Sequence, residues 1–219
     1  MNCGPGFTDF APFLARVVAA APGLPDVAAH SYLRDAAIRF CEASGWLERE
    51  ARLPMACGVR DYPVVPAECE RVVRVVAVFI GDHVPDCGRP DGRMLDPRRD
   101  VLETGCGFRV EALETPDVSV WIDREGDACD ILRVRYVAAP THDACRMDAR
   151  LAEEWGRALV EGALSDVLLL PGHPFSDPRL AAVYGQRFDA AILRARSRRL
   201  RGRTGGARTM VPERGDFAV

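Results

Sequence analysis

The chain has 219 residues, a formal net charge of −3, 48% hydrophobic and 28% charged residues, the balance of an ordinary soluble globular protein rather than a disordered one. It is long enough to bury a substantial core as one domain or two closely associated ones, and no apolar run approaches the roughly 20 residues that a membrane-spanning helix needs. All 29 basic residues are arginine, which, beside the wealth of Ala, Gly and Pro, reads as codon bias of a GC-rich genome rather than selection for bidentate hydrogen bonding.

In chain order, the segment around 8–20 predicts a short helix stopped by "PGLP". Asp9 stands where a secretory signal would carry positive charge and Arg16 interrupts the apolar stretch, so this is read as a helix of the fold. Asp26 offers an N-cap, Leu33, Ala37, Phe40, Cys41 and Ser44 follow at helical spacing, and Gly45 ends the pattern, predicting a helix over 26–44. From Trp46 the hydrophobic period changes to two. "WLEREARL", "ERVVRVVAVFI" before a Gly81-Asp82 turn, "FRVEA", "VSVWID" and "ILRVRYVAAP" are among about six short strands. They predict an antiparallel sandwich or barrel across 46–140. The interval 84–106 reads as a long loop with a helical turn after Pro97.

At Asp148 the helical period returns, placing Leu151, Trp155, Leu159, Gly162, Ala163 and Val167 on one stripe. Small residues at 158, 162 and 163 would let another helix approach closely. Pro171 and Gly172 then stop this helix, Pro174 disfavours a helical His173, and Ser176 or Asp177 caps the next helix with Pro178 in its first turn. Leu180, Val183, Tyr184, Phe188, Ala191 and Ile192 give that helix an apolar stripe, so the two helices pack as an antiparallel hairpin whose angle the prolines fix. After about residue 201 periodicity is lost, as in an extended tail. The expected fold is α+β: helices from both ends of the chain form a bundle (1–45 and 141–201), a β module (46–140) is inserted between them, and a basic arm (202–219) extends from the C-terminus.

Chemical motifs are few. There is no G-x-S-x-G, P-loop, H-E-x-x-H or G-x-G-x-x-G pattern. His142, Asp143 and Cys145 in "THDACRMD" suit a polar connector better than a catalytic or metal-binding cluster, and Asp86, Asp91, Asp96 and Asp100 share a loop without EF-hand spacing. His30 and His173 are lone histidines, and Trp46, Trp121 and Trp155 are dispersed as packing residues. The eight cysteines, Cys3, Cys41, Cys57, Cys69, Cys87, Cys106, Cys129 and Cys145, form no Cys-x-x-Cys pair and are read as buried free thiols. No enzyme activity, cofactor or metal is expected.

Charge is distributed more informatively. Residues 190–219 contain eight arginines and two acids, net +6, which leaves −9 on residues 1–189. The strip 194–208 holds Arg194, Arg196, Arg198, Arg199, Arg201, Arg203 and Arg208 and no acid. Helix-end complementarity explains a few of these. A basic extension on an acidic body suits docking on a negatively charged partner, whether protein or nucleic acid.

The order of these pieces resembles a known family. "YLRDAAIRFCEASGWLERE" leads into strands, and "DARLAEEWGRALVEGALSDVLLLPGHPFSDPRLAAVYGQRF" precedes a basic tail. The arrangement, from about residue 30 to 200, is similar to the head-to-tail adaptor proteins of tailed bacteriophages, especially the tubular-tail A type of short-tailed phages. Its most specific part pairs the early Leu-Arg-Asp-Ala-Ala helix with Glu161–Leu164 and the Pro171–Phe188 hairpin. The resemblance implies a structural virion protein in the neck or tail, assembled in the bacterial host cytoplasm. About twelve copies would form a ring joining the portal ring to the downstream tail protein, and DNA would pass through the channel without specific binding. Carried over, it makes 148–201, with its turn at Pro171, Gly172, Pro174, Phe175, Asp177 and Pro178, the ring-forming element, and Arg194 to Val219 the portal-binding arm. A DNA-binding or regulatory protein using the arginine tail is the alternative, and an enzyme with a site in the β module a third.

Overall fold

The computed structural model describes residues 6–80, 93–95, 108–112, 118–122 and 131–203. It is a mixed fold with four helices and antiparallel sheets among these residues. The first element is a strand, β1 (Phe7–Asp9), and helix α1 (Ala11–Ala20) follows, so the helix expected over 8–20 starts later. The reason is non-local: β1 pairs antiparallel with β9 (Arg146–Asp148), putting Phe7 opposite Asp148.

Helix α2 (Asp26–Ser44) has the expected bounds but a different start. Pro25, extended at φ −62° and ψ 140°, holds the cap position, and Asp26 is the first helical residue, with no side-chain cap bond. Its charge still complements the helix N-terminus. Gly45 closes the helix as expected, left-handed at φ 61°, its N–H donating to the Cys41 carbonyl at 2.8 Å.

Three sheets follow. β2 (Glu48–Pro54), β8 (Ile131–Pro140), β4 (Glu70–Ile80) and β5 (Arg93–Leu95) form one in that order, all antiparallel. β3 (Asp61–Val64), β7 (Val118–Ile122) and β6 (Phe108–Ala112) form a second, and β1 with β9 the third. The strands beyond the expected set are short. β5 runs through the interval read as a loop, while Pro97, the Gly81-Asp82 turn and the four loop aspartates lie outside the described residues. β8 alternates as expected from Ile131 to Tyr136, then stays buried through Pro140, because α2 packs against it. β4 is irregular against β8 at Val72/Arg74 and Val75/Ala77, where the register shifts.

Helix α3 (Ala149–Val167) packs against α1, α2 and α4 (Pro178–Arg203). Every residue of its expected stripe is buried. A further small residue, Gly156, admits α1: a Cβ there would lie 2.2 Å from the Phe13 ring. One buried apolar cluster runs from Leu33, Phe40 and Leu159 of the helices to Val78, Leu132 and Val134 of the larger sheet and Val64, Val120 and Ile122 of the second. Each large side chain so buried contributes about 1.5–3 kcal/mol over an exposed one.

An ion triad ties strands to helix. Arg49 of β2 donates to Glu70 at 2.5 and 3.0 Å and to Asp148 Oδ2 at 2.6 Å. Asp148 Oδ1 meanwhile caps α3 by accepting from the N–H groups of Arg150 (2.8 Å) and Leu151 (3.2 Å). Glu70 and Asp148 are 3% and 5% exposed, and this arginine pairs with both. Burial pushes the Asp148 carboxyl up, but Arg49, the Leu151 N–H and Arg150 outweigh it and hold the group below its usual value.

The thiols depart from the sequence reading. Cys69 is disulfide-bonded, and Cys57 and Cys145 are free but exposed. Cys41 alone among the described thiols is free and buried, and burial, then the charges of Glu70 and Asp148, push it well above the ordinary thiol range. Iodoacetamide is therefore expected to label Cys57 and Cys145 in the folded chain and Cys41 only after denaturation, read by peptide mass mapping. Labelling of all three at one rate would contradict this burial.

Candidate interaction surface

The α3–α4 hairpin is built from the turn upward. α3 gives way at Leu168, ahead of the prolines, and its last carbonyls are satisfied by Leu168, Leu169 and Leu170 N–H groups at 3.1 Å. The Leu168 carbonyl then accepts from the Asp177 N–H at 3.0 Å and the Ser176 hydroxyl at 3.4 Å, so both ends of the loop are joined. Of the two cap candidates, Asp177 serves: its Oδ1 accepts from the Arg179 and Leu180 N–H groups, each at 3.0 Å, with Pro178 opening the helix. Gly172 takes φ 78°, and Pro171, His173 and Pro174 are exposed. Phe175 turns inward, its ring stacked on His173 at 4.9 Å. Asp177→Ala is expected to cost about 0.5–2 kcal/mol in urea unfolding, and a loss near zero would mean that the Leu168 clamp alone starts α4.

Packing fixes the angle. The described inner face of α4 is Ala181, Tyr184, Phe188, Ala191, Ile192 and Ala195, whereas Leu180 and Val183, expected on it, are 40% and 41% exposed. Alanines alternate with Tyr184, Phe188 and Ile192 on this face, and the helices approach closely. A Cβ on Gly162 would lie 2.7 Å from two atoms of the Phe188 ring. Arg39 of α2 binds Asp166 at 2.6 and 3.3 Å, donates to the Gly162 carbonyl at 3.2 Å and lies over Phe188 at 5.4 Å. Trp155 packs on Phe40 at 5.2 Å and Trp46 at 6.4 Å.

The arginine strip divides. Arg194, Arg196, Arg198 and Arg201 are exposed on the last described turns of α4, and Arg203 is within the helix. Arg198 pairs with Glu154 at 2.9 Å and lies over Trp155 at 5.7 Å, and Arg199 reaches the Gly45 carbonyl at 3.2 Å and Glu48 at 3.6 Å. These two bind the chain's own body. Arg208 and the tail beyond residue 203 lie outside the described residues.

His142 and Asp143 line a cleft of about 650 Å³ with Glu68, Glu70 and Arg71, and Thr141 holds the exposed Asp143 carboxyl below its usual value by a side-chain hydrogen bond. No group of three potential metal ligands occurs among the described residues. Sequence reasoning missed Arg49, Glu70 and Asp148 as a unit, since residues 21 and 99 positions apart from Arg49 leave no local signal. No described helix is long and apolar enough to cross a membrane. No protein-family model matches the chain, and no curated protein matches it significantly.

Proposed function

We propose that the protein is a structural head-to-tail adaptor of a tailed bacteriophage, without an active site. It forms a ring of about twelve copies in the neck of the virion after assembly in the host cytoplasm. The ring joins the portal to the downstream tail protein and continues the DNA channel. In this reading the helices of the two chain ends form the ring-building bundle, and the two larger sheets are layers of an inserted sandwich. The observation that carries it is the α3–α4 hairpin, joined across its loop from Leu168 to Asp177 and closely packed at Gly162. A ring requires the same contact of roughly 1,000 Å² or more to be repeated at one angle, and a hairpin hydrogen-bonded across its loop suits that need. The acidic body, −9 over residues 1–189, suits a channel that DNA slides through.

Light scattering and negative-stain imaging of the purified protein, alone and mixed with the portal ring of the same phage, test the reading. A monomer that assembles into a ring only on the portal is expected. A persistent monomer beside unchanged portal particles would overturn it, and salt-sensitive binding to duplex DNA would favour the arginine tail as a nucleic-acid element.

A further inference from the structure

We draw no further inference here: the strongest candidate, the cavity of about 590 Å³ between α2 and α4 lined by Arg39, Glu42, Gly185, Phe188 and Asp189, carries no proposal, because Arg39 and Glu42 are already paired with Asp166 and Arg71 and nothing in the structure shows what would fill it.

Discussion

Replacing Arg49 by methionine is expected to lower the unfolding free energy by about 3–5 kcal/mol at pH 7. Methionine keeps much of the side-chain volume, so the loss reports charge rather than a cavity. Glu70 and Asp148, almost wholly buried, would be left without the guanidinium that lies 2.5 and 2.6 Å from them. Asp148 would keep Arg150 at 3.6 Å and its two cap N–H donors, so the loss falls more heavily on Glu70, and a desolvated charge without a partner costs several kcal/mol. The pH dependence gives the result its sign. In the parent, the Asp148 carboxyl sits below its usual 3.8, so its contribution is complete above that value and is lost as pH falls through the depressed one. In the variant the Asp148 carboxylate, without Arg49, favours protonation more than in the parent, so the deficit relative to the parent should shrink between pH 7 and pH 4. Urea unfolding at several pH values reads both effects. A cost below about 1 kcal/mol, or one unchanged across that range, would mean that water already screens the triad.

The parts of the fold legible from sequence were those fixed by local pattern. The stripe from Leu151 to Val167 and the Gly45 stop are set by a helix's own period and by backbone geometry. Alternation found β2, β6 and β8, and a valine-rich run found β4. β1, β5 and β9, three residues each, have no such repeat, and β1 exists only because residues 146–148 offer it a partner. At Asp26 the polar residue suggests a cap, while the preceding proline holds that position in an extended conformation. On α4 the large apolar residues drew the stripe toward Leu180 and Val183, yet the close approach at Gly162 selects Ala181, Ala191 and Ala195 beside Phe188. The arginine strip was legible as charge, but pairing of Arg198 and Arg199 with Glu154 and Glu48 depends on tertiary geometry.

Gly162→Ala sets two effects of opposite sign against each other, and the structure decides between them. In an open helix the change stabilises by about 1 kcal/mol, because alanine restricts the unfolded chain and favours the helix. Here the new methyl would fall 2.7 Å from the Phe188 ring, which is 4% exposed and held between Phe40 at 6.2 Å and Arg39 at 5.4 Å. The ring also lines a cavity of about 590 Å³ with Ser165 and Ile192, so the methyl must displace either the ring or α4, and overpacking of this kind costs about 1–3 kcal/mol. A net loss is therefore expected in thermal and urea unfolding. Phe188→Ala alone should cost about 3–5 kcal/mol, yet combined with Gly162→Ala it should cost less than the sum, since removing the ring makes room for the methyl. A more stable Gly162→Ala variant, or strict additivity with Phe188→Ala, would show that the hairpin has slack. In the adaptor reading that slack also matters for assembly: a shift in the angle between α3 and α4 is repeated at every contact around a ring, so closure should fail in Gly162→Ala under conditions where the monomer remains folded.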